Sequence, residues 1–261
     1  MKNYQSFIIN SKNLKKSSLG STVFIDLNQS ITLSKYCRVS RFSCYYTFPN
    51  IRSDLNNNTF SFTYNALNYL ISLDNGLYSE DSLNETLNEK LSNIVVGTTT
   101  LKDLFKFDGD DSTGKITMVV KSNALAFSIT PSASQNKLIR EILGFSQTGT
   151  ITINSANTVY VDGNTTALFN TVNAININCS FLSNNENIFF NNNNNSYVMQ
   201  QVLLTAKAGG QVLYEPYHPQ INTTNNNTIN NFTIQLYDEN NINLLDMNGD
   251  SFTLNIELYD E

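Results

Sequence analysis

Tryptophan is absent, and histidine is represented by His218 alone. A single histidine excludes a two-histidine metal site and removes the usual residue for acid–base chemistry near neutral pH. His218 sits in EPYHPQ between Pro216 and Pro219, a context that reads as an exposed loop. Charge is also scarce: 15% of residues are charged, against roughly 25% in ordinary globular domains. The 16 lysines and arginines are dispersed and the net charge is −6, so no concentrated cationic footprint for nucleic acid exists. The local exception is Lys12, Lys15 and Lys16, read as a solvated arm, with contact to nucleic acid or an acidic partner as the alternative. The three cysteines, Cys37, Cys44 and Cys179, follow no metal spacing. An odd number without a secretory leader in MKNYQSFIIN points to reduced, buried thiols in an intracellular assembly compartment. No apolar run approaches the ~18–20 residues of a membrane span. No local pairing of nucleophile with base, and no local carboxylate pair, argues for catalysis. The expectation is a chain that is not an enzyme, with no cofactor and no metal.

What is present is β-forming material. Hydrophobic residues make up 40%, with 13 tyrosines and 16 phenylalanines, enough for a sizeable core in 261 residues. About 42 asparagines, with abundant Thr and Ser, favour turns over helices. STVFIDLNQSITL alternates Val23, Ile25 and Leu27, then Ile31 and Leu33 beyond an Asn-Gln-Ser turn. CRVSRFSCYYTF follows and closes at Pro49-Asn50; TFSFTY and NYLISL read as further strands. The texture then changes. YSEDSLNETLNEKLSNI places Leu83, Leu87 and Leu91 one helical turn apart, with Ser82 and Glu85 in a capping-box spacing. SQNKLIREILGF predicts a second short helix with Leu138, Ile139, Ile142 and Leu143 on its apolar face, ending at Gly144. Between them LKDLFKFDGDDSTGKITMVV predicts a hairpin. Strands return after residue 150 as TGTITI, TVYVD, VNAININCSFL, YVMQQVLLTA, QVLYEPY and two closing runs. The expected organisation is a polar arm at residues 1–20, an antiparallel β-sandwich from residues 21–65 and 151–261, and a small α+β insertion at residues 66–150.

Two stretches imitate ligand loops. GDDSTGK at residues 109–115 has the spacing of a phosphate loop, but Ile116 replaces the final hydroxyl residue, Asp110 and Asp111 repel an anion, and a strand follows where a helix is needed. A β-turn is expected. DMNGDSFTLNIE sets Asp246, Asn248, Asp250 and Glu257 in a weak calcium outline. However, Gly249 falls two positions early and Glu257 lies in an alternating strand. An Asn248-Gly249 turn joining two strands is the expected reading.

The order of motifs resembles a known family. LIREILGFSQTG is followed by VNAININCSFLSN, AKAGGQVLYEPYHPQ, and NFTIQLYDENNINLLDMNGDSFTLNIELYD. This is similar to the penton, or vertex minor capsid, proteins of virophages and Polinton-like viruses. Leu143-Gly144-Phe145, Ile177, Cys179, Leu182, Ser183, Asp238, Leu244, Asn248, Gly249 and Leu258 approximate the family pattern. In the first half, Ile71, Leu73, Gly76, Tyr78, Leu83 and Asn84 match the approach to its helix. Departures are Asp74, where the family often has proline, and asparagine padding at residues 191–195 and 225–227. The resemblance implies a single jelly roll with a projecting insertion, assembled as homopentamers at the fivefold vertices of an icosahedral capsid. Its neighbours would be a double jelly-roll major capsid protein, its location the virion, and its assembly site the host cytoplasm or a viral factory. The alternative is a carbohydrate- or receptor-binding β-sandwich, lectin-like or fibre-like. The Tyr- and Asn-rich surface suits sugars, and the missing tryptophan argues against them.

Overall fold

Period-two alternation gives the chain's two outer segments eight principal strands, each with one apolar face. The computed structural model describes residues 4–97, 99–110, 112–121, 126–155, 157–169, 172–182, 197–225 and 227–260. Two units are formed, one from Met1–Phe48 with Val172–Glu261, the other from Pro49–Thr171. The strands of the first unit are β1 (Tyr4–Asn10), β2 (Thr22–Thr32), β3 (Tyr36–Tyr45), β4 (Ala174–Cys179), β5 (Val198–Leu203), β6 (Gln211–Tyr214), β7 (Thr228–Tyr237) and β8 (Thr253–Tyr259). They make two antiparallel sheets, in the orders β1-β8-β3-β6 and β5-β4-β7-β2. Every connection except β4 to β5 passes from one sheet to the other. That winding is a single jelly roll, as the family resemblance implies.

The core of the roll follows from the alternation. Phe252, Leu254, Ile256 and Leu258 all face inward, at 1% exposure or less. Val23, Val39, Phe42, Ile177 and Leu236 meet them from the neighbouring strands. The rings of Phe7 and Phe181 lie 5.1 and 5.2 Å from Phe232. The apolar spacing in β3 shifts from Cys37 and Val39 to Phe42 and Cys44 because a bulge intervenes. Asn255 pairs with Arg41, but Ile256 pairs with Val39, so Ser40 is the extra residue. Tyr45 therefore points outward.

Four sequence expectations need correction. Residues 1–20 are not a free arm: β1 pairs along its length with β8, Tyr4 opposite Tyr259 through Asn10 opposite Thr253. As an edge strand it buries only Ile9 fully, so its apolar signal is short. Asn28-Gln29-Ser30 is no turn; it lies inside β2, where the register against β7 shifts. The closing strands joined by the Asn248-Gly249 turn are not a side-by-side pair, since β7 and β8 belong to different sheets. Finally, the inserted unit runs from residue 49 to residue 171, wider than 66–150. The strands Thr59–Tyr64, Ile151–Ile153 and Val159–Asp162 belong to it. Alternation reveals a strand without revealing which sheet receives it.

The second unit is α+β. Its helix spans Glu80–Ser92 and buries Leu83, Leu87 and Leu91. The capping box lies one turn before the predicted one: Ser82 N–H donates to Ser79 Oγ at 3.2 Å, and Ser79 N–H donates to Ser82 Oγ at 2.9 Å. Asn84 clamps the helix to the hairpin, donating to the Phe107 carbonyl at 2.7 Å and accepting from its N–H at 2.9 Å. That hairpin pairs Phe105–Asp110 with Lys115–Val120 as expected. A four-stranded sheet runs Ile151–Ile153, Phe127–Ile129, Thr59–Tyr64, Leu67–Ser72. The core is a cluster of phenylalanines, with Phe62 and Phe105 edge to face at 5.3 Å. The expected second helix is a 3₁₀ turn, Ser134–Asn136, followed by a single π turn, Leu138–Ile142. Gly144 ends it at φ +79°, where a Cβ would strike the Thr165 carbonyl.

Replacing Ile256 by aspartate would bury a carboxylate with no partner at a fully buried position. The Ile256→Asp chain should be insoluble or lack a cooperative melt by circular dichroism. Ile256→Val should fold and lose only about 0.5–1.5 kcal/mol in urea titration. A folded Ile256→Asp protein would contradict the register given above.

Candidate functional site

The outward face of the β1-β8-β3-β6 sheet combines exposed apolar side chains with charges that are already paired. Tyr4, Tyr259 and Tyr36 stand side by side across three strands, and the last two rings are 6.0 Å apart. Lys35 lies 4.8 Å over Tyr36, and Arg38 lies 5.5 Å over Tyr259. The next row holds Arg38 and Glu257, with Nε donating to Oε2 at 2.7 Å. The Tyr4 hydroxyl also interacts with Glu257 and favours its charged form. Burial pushes the Glu257 carboxyl up, but the Arg38 bond and the interaction with Tyr4 outweigh it and hold the group below its ordinary value of 4.5. Arg41 pairs with Glu215 at 3.0 Å, and the Ser43 and Thr253 hydroxyls are 2.7 Å apart. Around these groups Ile8 is 78% exposed, Tyr4 60%, Leu213 53% and Tyr45 52%. Four large apolar side chains on one sheet face, with local charge neutralised, make a surface suited to contact with protein.

The residues singled out in the sequence are dispersed. In the calcium outline, Asp246 accepts from the Asn248 N–H at 2.9 Å and Asp250 accepts from the Thr47 hydroxyl at 2.7 Å. Glu257 is held by Arg38 on the sheet face. Among the described residues no group of three or more His, Cys, Asp or Glu is placed to hold a metal ion. Asn248 and Gly249, at φ 48° and 80°, form the expected turn, although it leads between sheets. GDDSTGK is a turn secured by Asp110, which accepts from Ser112 N–H at 2.9 Å and from the Ser112 and Thr113 hydroxyls at 2.6 and 2.8 Å. Those bonds bring the Asp110 carboxyl down to about 2. Asp111, Ser183 and residues 191–195 lie outside the described residues. His218 is exposed, with Tyr217 edge-on at 4.7 Å. Lys12 belongs to a 3₁₀ turn, and Lys15 and Lys16 form a two-residue strand against β2, with Lys15 over the Phe24 ring at 5.7 Å. Among the described residues no helix is long and apolar enough to cross a membrane.

Cys37, Cys44 and Cys179 are free and buried. Desolvation pushes the first two thiols up to about 12 and the third well above the ordinary range, which suppresses the reactive thiolate. An aromatic disulfide reagent at pH 8 should therefore label none of the three cysteines in the native protein and all of them in guanidinium. The Glu257 carboxyl, lowered in the fold, contributes stability that is present above about pH 4.5 and lost as pH falls through its folded value. Glu257→Gln should lower stability above about pH 4.5 and flatten the acid limb of a stability–pH curve, while leaving stability at the acid end, where the carboxyl is already protonated, nearly unchanged.

Comparison with known proteins is informative at the level of structure. No protein-family model matches the chain, and no curated protein matches its sequence. A crystal structure of the selenomethionine-labelled mavirus penton protein is similar over 99% of this chain and 99% of that chain, with a TM-score of 0.54 and 13% sequence identity. The correspondence takes in the roll and the inserted unit together, so the chain shares the fold of the mavirus penton protein from end to end.

Proposed function

We propose that this chain is the penton protein of an icosahedral viral capsid, with five copies closing each fivefold vertex. The observation that carries the reading is the correspondence with the mavirus penton protein over 99% of both chains, which extends beyond the roll to the insertion. Jelly rolls serve many functions, but a likeness that covers the roll and the inserted unit alike is a narrower signature than a likeness of the roll alone. The sheet face described above supports the assembly role. Ile8, Tyr4, Leu213 and Tyr45 offer apolar area, and the Arg38–Glu257 and Arg41–Glu215 pairs spare a partner the cost of desolvating unpaired charge. In a closed ring each copy meets its neighbour through two different surfaces. This face is one of them, and a second copy of the chain is its occupant. The remaining outer contacts go to a double jelly-roll major capsid protein. The protein is then a structural component of the virion, assembled in the host cytoplasm or a viral factory, and not an enzyme.

Native mass spectrometry of the purified chain, alone and with the major capsid protein, tests this. The expected species weighs about 147 kDa, five times the 29.3 kDa chain. Ile8→Glu and Leu213→Asp, both at exposed positions, should leave the fold intact and weaken the five-copy species by at least about tenfold each, which is ~1.4 kcal/mol. A protein that stays monomeric with and without the major capsid protein would overturn the reading.

A further inference from the structure

The second unit carries a polar, uncharged cleft. Its four-stranded sheet turns phenylalanines and isoleucines inward, and the same alternation turns hydroxyls and amides outward. Ser61 is opposite Leu70, and Thr63 is opposite both Asn68 and Ser128. The 3₁₀ turn Ser134–Asn136 walls one side, and a cleft of about 250 Å³ lies between turn and sheet. Ser61, Thr63, Asn68, Ser128, Thr130 and Gln135 line it, and no charged side chain does.

We propose that this cleft binds a single neutral sugar ring. The floor is already built. Asn136 is 1% exposed; it donates to the Ser61 and Thr130 carbonyls at 3.1 and 2.8 Å and accepts from the Ser61 N–H at 2.5 Å. Gln135 Nε2 donates to Ser61 Oγ at 2.9 Å, which fixes the wall. The hydrogen-bonding capacity left over faces the cleft. Asn68 Oδ1 is occupied by the Thr63 hydroxyl at 2.7 Å, so its Nδ2 is the end offered to a ligand. The Ser128 hydroxyl has no partner among the described residues and both donates and accepts. A ligand matched to such a lining needs several hydroxyls that also do both. The lack of a charged group turns away phosphates, sulfates and carboxylated sugars, which would lose hydration without gaining a counter-charge. Leu70, opposite Ser61 on the same face and 64% exposed, lies outside the cleft lining and offers apolar area beside its mouth. The volume is below the roughly 300–1,000 Å³ of drug-sized sites, so one ring fits and a longer chain leads out into solvent. Affinity is weak, because water competes well for every one of these hydrogen bonds, and five-copy display would raise avidity.

Saturation-transfer NMR on the full chain tests this, with the methyl glycosides of glucose, galactose and mannose, and with N-acetylglucosamine, as probes. At least one should receive saturation at millimolar concentration. Asn68→Leu and Ser128→Leu should each weaken it at least about tenfold while leaving the melting temperature in place, and Ile8→Glu in the other unit should leave it unchanged. Asn68 is exposed on an edge strand, so the test survives if the Ser128 variant misfolds. Immobilised neutral glycans ending in the same sugar distinguish a glycan terminus from the free sugar as the natural source. The proposal is overturned if no probe binds at tens of millimolar. Equal transfer to glycerol, preference for sialic acid, or undiminished binding in both Leu variants would overturn it too. None of these outcomes depends on whether five copies assemble.

Discussion

The roll depends on one constraint: almost every connection changes sheets, so strands distant in sequence must turn the same parity of residue toward a common interior. A slip of one residue in any strand would exchange its buried and exposed sets. The most demanding case is the meeting of the chain's two ends. Among the described strands β1 pairs with β8 alone, and β8 is flanked by β1 and β3. The first strand therefore cannot take its place until the last has set the register. The bulges at Ser40 and in the middle of β2 are where this demand is reconciled with the sequence. Each admits extra residues on one strand so that the positions beyond return to the correct side.

Asparagine explains how a chain with so little charge satisfies its buried polar groups. Asn50 is 1% exposed; it donates to the carbonyls of Tyr78 and Phe169 and accepts from the Tyr78 N–H, joining three separated segments of the second unit. Asn57 spans Asn50 and Arg52 in the same way. In the roll Asn176 donates to the carbonyls of Asp238 and Glu239, and Asn222 to that of Met199. An amide can donate and accept at once without the desolvation penalty of an ion. The composition that looked like turn propensity is therefore partly a set of internal staples.

Much of this architecture was readable from alternation and turn chemistry. The strands after residue 150, the 105–120 hairpin, the leucine stripe of the helix and the left-handed Gly144 all stand where local rules put them. What escaped was decided by partners. β1 shows one fully buried residue because it is an edge, and an edge strand half exposed to solvent reads as polar chain. The capping box moved one turn earlier because Ser79 and Ser82 can bond each other reciprocally, whereas spacing alone favoured Ser82 with Glu85. β7 and β8 read as a strand pair because both alternate and an Asn-Gly turn lies between them. Yet Asp238, bonded to Ile242 N–H and Asn243, shapes the start of the connection that carries the chain across to the other sheet. The sugar-sized cleft had no signal at all. Serines and threonines on the outer face of a strand are what any solvated sheet would show, and only the 3₁₀ turn beside them makes a concavity.

The pairing of 13% identity with 99% coverage follows from the same physics. A roll of this kind asks most positions only for the correct parity of hydrophobicity, and many side chains of similar volume satisfy that. Few positions ask for a particular residue. Gly144 does, because its φ and the Thr165 carbonyl exclude a Cβ; Asn248-Gly249 does, because both residues have positive φ; Asp238 does, because it anchors a crossing loop. Such positions are scattered at wide intervals, so a comparison of residues finds little while a comparison of backbones finds the whole chain. The surfaces face no parity rule beyond solubility and are free to diverge with their partners. Within one shared fold, the outer sheet face of the roll and the neutral cleft of the insertion are accordingly where differences between related proteins should concentrate.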